Sequence, residues 1–315
     1  MLGYMIVCDV SIVIVSWNTR ELLAACLDSV AAEVGRAGLA VETFVVDNAS
    51  ADGSPEMVSG RFPWVRLLLN EQNVGFAQGN NQAIKQATGR YILLLNPDTE
   101  LKPGSLSQLH GFLESRPEAG MVGPRLLNGD GSLQPSCFKA PTLLREFWLL
   151  FHLDALLPAV SGYPVEKWAV DVSRPVEVLK GACVLLRRPI VAQIGLLNTA
   201  YFMYSEEVDL CYRIRQAGWQ LHWLPQAQVI HYGGQSTSQA AEAMFMRLYE
   251  AKTLYFRLNH GQPSAILYKL LLILAALARL SLTPLTIFES PPRRQRHLTL
   301  ATRYWQLIIK CVFYI

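Results

Sequence analysis

The amino-acid sequence predicts an α/β protein: a mostly parallel sheet covered by helices on both faces, followed by a helical C-terminal region. Three observations carry this. Strand-like and helix-like runs alternate through the first hundred residues, the pattern of β-α-β units. The strand-like runs are β-branched and almost wholly apolar, as in strands buried on both faces. Beyond about residue 238 the texture changes to long helix-like runs carrying apolar and basic blocks.

The first strand spans 10–15, ends in the turn Ser16-Trp17-Asn18, and leads into a helix over 19–30. The second, 41–46, opens into Asp47-Asn48-Ala-Ser50-Ala-Asp52-Gly53. After a short helix come a strand at 65–69, a helix over 75–88 and a fourth strand at 91–95, which stops in Asn96-Pro97-Asp98. A helix over 103–115 and a strand near 121–124 lead into a turn-rich stretch around Asn128-Gly-Asp-Gly131. The apolar, aromatic run 143–160 fits no assigned role; a strand at 178–187, a helix over 206–217 ended by Gly218, and strand segments at 219–225 and 228–231 complete the domain. The expected division is a catalytic-type domain over 10–237 and a C-terminal region over 238–315.

Of the 315 residues, 51% are hydrophobic and 17% charged, with net charge +3; mean hydropathy is +0.21. This is rich for a soluble protein and points to membrane contact, while the small net charge gives no basis for binding nucleic acid. The six cysteines are scattered with no Cys-x-x-Cys pair, so they read as small core residues in a reducing compartment. Residues 1–10 are apolar but lack a basic leader and a small-residue cleavage site, so no signal peptide is expected. The run 265–282 is interrupted by Lys269 and Arg279. The stretch between them covers only about 15 Å as helix, about half the hydrocarbon core. An interfacial or re-entrant helix pair on an anionic cytoplasmic surface therefore fits better than a clean span, helped by Arg293, Arg294 and Arg296 and by Tyr304, Trp305, Phe313 and Tyr314. The alternative, a buried helical pair in a homo-oligomer interface, stays open.

Neither a Gly-x-x-x-x-Gly-Lys-Ser/Thr loop nor a Gly-x-Gly-x-x-Gly turn after the first strand is present, which counts against nucleotide hydrolases of the P-loop type and dinucleotide dehydrogenases. Polar groups gather instead at strand ends: Ser16, Trp17 and Asn18, then Asp47, Asn48 and Ser50, which can meet a base edge and ribose hydroxyls or serve simply as turn residues. Asn73-Val-Gly75-Phe76-Ala-Gln-Gly79-Asn80-Asn81 combines glycines that admit close approach with poor helix formers. Asp98 places one carboxylate at the carboxyl end of a central strand, where open α/β sheets put ligands. A hard cation gripping a diphosphate needs only one or two protein ligands.

In order, Val15-Ser-Trp-Asn18, Val46-Asp-Asn-Ala-Ser50, Asn73 to Asn81, Leu95-Asn-Pro-Asp98, Gly123 to Ser136, Gly181-Ala182-Cys-Val-Leu-Leu-Arg187, Phe202-Met-Tyr-Ser-Glu-Glu-Val-Asp-Leu-Cys-Tyr-Arg213, Gly218-Trp219 and His231 resemble family 2 glycosyltransferases of the GT-A fold, most of all their rhamnosyltransferase-like branch. The resemblance implies a Rossmann-like sheet and an inverting, metal-dependent transfer from a nucleotide-diphosphate sugar, TDP-rhamnose first and a UDP-hexose as the alternative. The acceptor would be a glycan or lipid-linked glycan in cell-surface polysaccharide synthesis, at the cytoplasmic face of the membrane. It implies a divalent metal (Mg or Mn) on Asp98 and His231, with Asn96 replacing the first carboxylate of the family's Asp-x-Asp and becoming a donor-side contact. Ser16, Trp17, Asn18, Asp47, Asn48, Asn73, Gly75, Phe76 and Asn80 fall on the donor side; Gly181, Ala182 and Trp219 on the acceptor side. Ser205 reads as an N-cap before Glu206, Glu207 and Asp209, and the family's catalytic base falls on Glu207, with Asp209 as the alternative. Arg187 and Arg213 are further candidates for the acceptor or diphosphate side. The competing readings are a non-catalytic nucleotide-binding scaffold and a nucleotidyltransferase, the latter without a basic, glycine-rich triphosphate loop to support it.

Overall fold

The computed structural model describes residues 8–156, 160, 162–234, 241–288 and 290–313. Residues 1–7, the boundary at 237–238 and Tyr314 lie outside the described residues. The chain divides into two compact units, Met1–Ala140 with Pro164–Gln239, and Pro141–Tyr163 with Ala240–Ile315.

The first unit holds β1 (Val10–Ser16), β2 (Val41–Asp47), β3 (Val65–Leu69), β4 (Tyr91–Leu95), β5 (Thr99–Leu101), β6 (Ala119–Leu127), β7 (Leu133–Gln134), β8 (Cys137–Phe138), β9 (Arg174–Val176), β10 (Val178–Leu179), β11 (Cys183–Arg187) and β12 (Gln220–His231). The main sheet runs β3-β2-β1-β4-β11-β6-β12-β5, with β7 beside β6 and β9 beside β12. β3, β2, β1 and β4 are mutually parallel. β11 inserts antiparallel between β4 and β6, and β12 lies parallel to β6. β4 is buried along its whole length, as its unbroken apolar run requires.

Helix Arg20–Ala37 buries Leu23, Leu27 and Val30 at helical spacing. It outruns the expected end at residue 30 because Glu33 is also buried and accepts hydrogen bonds from the N–H groups of Gly104 (3.0 Å) and Leu106 (3.1 Å). A carboxylate there complements the positive start of helix Ser105–Ser115. The run 178–187 forms two strands, not one: β10 pairs with β8 in a small separate sheet, β11 joins the main sheet, and Lys180-Gly181-Ala182 makes the turn between them. Conversely, the segments 219–225 and 228–231 form one strand, whose register against β6 shifts between Leu224 and Gln228. That irregularity accommodates Pro225, which has no N–H to give the ladder.

The second unit contains helices Leu143–Leu150, Ala241–His260, Gln262–Ser281 and Pro291–Phe313. The apolar run 143–160 thus begins as a helix grouped with the C-terminal helices. Helix Gln262–Ser281 turns Ala265, Tyr268, Leu272, Ala275 and Ala276 inward, while Ile266, Leu267, Leu270, Leu274 and Leu277 are exposed. Arg279, one of the charges breaking this run, is absorbed within the unit. Its guanidinium donates to the carbonyls of Leu150 and Ala275 and lies over the Tyr304 ring.

Candidate active site

The carboxyl end of β4 opens into a cleft of about 420 Å³. The Asn96-Pro97-Asp98 turn is stitched on both sides: the Asn96 N–H donates to the Ala182 carbonyl (2.8 Å), and the Tyr232 N–H donates to the Asp98 carbonyl (2.9 Å). Pairing of His231 with Thr99 at the end of β12 brings the histidine to the same place. Asp98 and His231 are both buried, with Asp98 Oδ1 3.4 Å from His231 Nε2. The Asn96 side-chain nitrogen is also 3.4 Å from Nε2.

Across the cleft lies the start of helix Glu206–Gln216. Tyr204 (φ 71°) and Ser205 (φ 64°) precede it, two consecutive non-glycine residues in the left-handed region, a conformation costing about 1–3 kcal/mol per residue. Ser205 therefore does not act as the expected N-cap: its side chain makes no cap hydrogen bond. Glu206 and Glu207 both line the cleft, and one oxygen of each, Oε2, is buried without a hydrogen-bond partner among the described residues. Burial, and after it the Glu207 charge, push the Glu206 carboxyl well above the usual carboxylate range. Burial raises Glu207 as well, opposed by the Lys180 ammonium. Lys180 is itself lowered by burial, while Asp98 and Glu207 draw it back up. Gly181 permits the tight approach of helix and turn, since a Cβ there would stand 3.2 Å from Glu207 Cβ.

On the donor side, Ser16, Trp17, Asn48, Asn73 and Phe76 line the cleft with Asn96. Asn48 holds the wall together, donating to Asn73 Oδ1 and to the Gly75 carbonyl, each at 3.3 Å. Gly75 has φ 85°, and a Cβ on it would lie 2.5 Å from the Phe202 carbonyl. The neighbouring Phe76 N–H donates to that carbonyl at 2.9 Å.

Several expected site residues sit elsewhere. Asn18 and Asp47 are second to the cleft wall. Asn18 Oδ1 accepts from the Ala51 N–H, and Asp47 Oδ2 from the Ser50 N–H, each at 2.8 Å. Asp47 Oδ1 is left buried and unpartnered among the described residues. Asn80 donates to the Phe76 carbonyl inside its own helix. Asp209 does not face the cleft; it pairs with Arg213 at 2.8 Å, and Arg213 also donates to the carbonyls of Ile194 and Leu196. Trp219 and Arg187 lie at the opposite end of the sheet, because β11 runs antiparallel to β4 and Trp219 precedes β12 beside the start of β6. Arg187 donates there to the carbonyls of Ala119, Leu113 and Arg116, and Trp219 Nε1 donates to Gln193 Oε1.

The sequence reading missed Lys180, Glu206 as a cleft residue, and Gln134. The signal for the first was a lone lysine beside glycine inside an otherwise apolar run. Among the described residues lining the cleft, Lys180 is the one lysine or arginine.

Among the described residues no group of three His, Cys, Asp or Glu side chains could hold a metal. Asp98 and His231 make a pair, and the donor set fits a cation that takes its remaining ligands from a diphosphate and water. Their 3.4 Å separation exceeds a normal hydrogen bond.

A family model, "Glycosyl transferase family 2", matches residues 11–145. The chain is 33% identical over 217 residues to the N-acetylglucosaminyl-diphospho-decaprenol L-rhamnosyltransferase of Mycobacterium tuberculosis, covering 63% of this chain and 69% of that protein. It is 28% identical over 165 residues to the rhamnosyltransferase WbbL of Escherichia coli, covering 50% of this chain and 61% of that one. The fold is similar to that of the mannosyltransferase PcManGT from Pyrobaculum calidifontis, solved with GDP-Man and Mn2+, with TM-score 0.59, 17% identity, and coverage of 96% and 87%. It is also similar to GalNAc-T7, with TM-score 0.54, 15% identity, and coverage of 71% and 43%. A relative matched at 33% identity over more than two thirds of its length, on a GT-A-like fold, leads to one conclusion: the chain belongs to glycosyl transferase family 2 and is a glycosyltransferase.

Proposed function

We propose that the chain transfers rhamnose, with inversion, from TDP-rhamnose to a hydroxyl of a lipid-linked glycan in cell-surface polysaccharide synthesis. The names of its rhamnosyltransferase relatives support the sugar and the acceptor class. The observation that carries the chemistry is that one cleft holds the Asp98–His231 pair, the Lys180 ammonium and the buried Glu206–Glu207 pair. Glu207 is the base in this reading. It takes the proton of the acceptor hydroxyl as that oxygen bonds to the anomeric carbon, and the bond from that carbon to the diphosphate oxygen breaks with its electron pair leaving on the diphosphate. Burial raises the affinity of Glu207 for a proton, which strengthens it as a base. Asp98 and His231 would hold a divalent ion, Mg or Mn, which when bound supplies positive charge to the departing diphosphate. Lys180, anchored by Gln134 Oε1 at 2.9 Å, is a fixed cation for the same diphosphate. Ser16, Trp17, Asn48, Asn73 and Phe76 would face the nucleoside, and Gly181 and Ala182 the acceptor.

The exposed leucine-rich face of helix Gln262–Ser281 supports a place on the inner face of the cell membrane, close to such an acceptor. It belongs to the one helix, among the described residues, that is long and apolar enough to cross a membrane. The exposed Arg293 and Arg294 suit an anionic lipid surface.

The test is calorimetric binding of TDP, UDP and GDP, each with and without manganese, to the wild type and to Asp98→Ala. The expected result is metal-enhanced binding of TDP that the variant loses while remaining folded. Preference for UDP would replace the donor, and the absence of metal-enhanced binding to any of the three would overturn the cation role of Asp98.

A further inference from the structure

Gln134, at the end of β7, is buried to 9% exposure, and its side-chain amide uses all four of its hydrogen-bonding positions. Nε2 donates to the His231 main-chain carbonyl (2.9 Å) and to Asn128 Oδ1 (2.8 Å). Oε1 receives the Lys180 ammonium (2.9 Å) and faces His231 Nδ1 at 2.6 Å. The main-chain carbonyl can only accept, so the amide can be oriented only with Nε2 toward it. Oε1, which can only accept, therefore faces the imidazole. A neutral His231 must then carry its proton on Nδ1 and leave the Nε2 lone pair beside Asp98.

We propose that Gln134 is a positioning residue that fixes His231 in the Nδ1–H tautomer, aiming the Nε2 lone pair into the space shared with Asp98, while the same oxygen anchors Lys180. The inference rests on the reading of Asp98 and His231 as a cation-holding pair. Metal-bound histidines depend on such a partner for the second ring nitrogen, and its loss costs about 10–100-fold in metal affinity. Without Gln134, Nδ1 loses its acceptor. The proton then moves to Nε2, where Asp98 Oδ1 stands 3.4 Å away, and a ligand pair becomes an internal hydrogen bond. Lys180, freed from Oε1, is drawn to the Asp98 and Glu207 carboxylates, the two charges acting on it.

The two halves of the Gln134 amide can be separated. Gln134→Leu removes the acceptor and the donor together. Gln134→Glu keeps an acceptor for Nδ1–H and for Lys180 but removes the donor to the His231 carbonyl and Asn128. Two readouts on the full chain decide between them: two-bond 1H–15N correlation of the His231 ring in metal-free protein at a pH where it is neutral, and manganese affinity by electron paramagnetic resonance with TDP present. The expected results are an Nδ1–H tautomer in the wild type and in Gln134→Glu, with manganese affinity held within a few-fold. Gln134→Leu should switch to Nε2–H and bind manganese about 10–100-fold more weakly. An Nε2–H tautomer in the wild type overturns the proposal even if no variant folds. So does Gln134→Glu losing the tautomer as fully as Gln134→Leu, which would make the residue a structural tie only. A wild type that binds no manganese refutes the cation site, while the ring tautomer still decides the role of Gln134.

Discussion

Replacing Glu207 with glutamine separates the catalytic role proposed for this carboxylate from its effect on the fold, and the two should move in opposite directions. The side chain is isosteric, so its close packing against Gly181, where an added methyl would stand 3.2 Å from Glu207 Cβ, is unchanged. What is lost is the proton acceptor, and a general base is worth about 10²–10⁴-fold in turnover. What is also lost is a buried charge: Oε2 has no hydrogen-bond partner among the described residues, and Glu206 is its neighbour. For both carboxyls the folded-state pKa lies above the unfolded value. Their contribution to stability is thus fully present below the ordinary carboxylate pKa and is lost as pH rises through the raised one. Near neutral pH, Glu207→Gln should therefore stabilise the protein, because it removes a buried charge although a polar group stays without a partner at the same position. It should also flatten the rise of stability on acidification. Wild-type turnover should have an acidic limb displaced above the ordinary carboxylate range, since the base works only when ionised. Single-turnover kinetics, nucleotide calorimetry and denaturant melts across pH measure all three. A variant that keeps its turnover, or that loses turnover together with stability and nucleotide affinity, would refute the reasoning.

Other substitutions probe the surrounding geometry. Gly181→Ala should force Glu207 back by a few tenths of an ångström and lower kcat about 3–10-fold with nucleotide affinity intact, as a 1 Å misplacement costs about 10²-fold; an unchanged kcat would show that the turn yields instead. Lys180→Met should weaken TDP binding about 10–100-fold, most visibly without metal, from the about 1.5–3 kcal/mol of a hydrogen bond to a charged group, and calorimetry in EDTA reads it. Leu270→Glu with Leu274→Glu, on the exposed face of helix Gln262–Ser281, should reduce partitioning to anionic vesicles about 10²–10⁴-fold, at about 1.5–3 kcal/mol per leucine side chain. Unchanged co-sedimentation would assign that face another role.

Strands 65–69 and 91–95 were legible to the residue because each is a five-residue apolar-rich run, interrupted in the first only by Arg66, too short for a helix and bounded by turn residues. The meeting of Asp98 with His231, 133 residues apart (231 − 98), came from the order of motifs and not from local pattern. What stayed hidden has identifiable causes. A run from Val178 to Arg187 holding one charged residue before its final arginine reads as a single strand, and only the pairing of β10 with β8 and of β11 with β4 reveals the turn that puts Lys180 and Gly181 in the cleft. Arg187, a candidate for the acceptor or diphosphate side, stands at the opposite end of the sheet, which a motif does not reveal because it gives sequence position but not strand direction. An antiparallel strand inserted into a parallel sheet starts at the ligand end and finishes at the other. Asp209 and Arg213, by contrast, stand four apart on one helix, a spacing that favours pairing with each other over pairing with a ligand.

The two ends of the sheet differ in a way that locates function without reference to relatives. At the far end, the Arg187 guanidinium donates to three main-chain carbonyls and the Tyr91 hydroxyl, so four of its five N–H groups tie the end of helix Ser105–Ser115 to its neighbours. At the cleft end, two left-handed non-glycine residues lead directly into two carboxylates with unpartnered buried oxygens. Asp98 and His231 meanwhile face each other beyond hydrogen-bond length. The left-handed residues and the unpartnered buried oxygens each cost stability. Local violations of otherwise consistent packing mark the places where a protein has something other than stability to achieve. Here they converge on one cleft around a lysine and a histidine that share a single amide oxygen. The strain at Tyr204 and Ser205 stands directly before Glu206 and Glu207, where Ser205 makes no cap hydrogen bond and both carboxylates line the cleft.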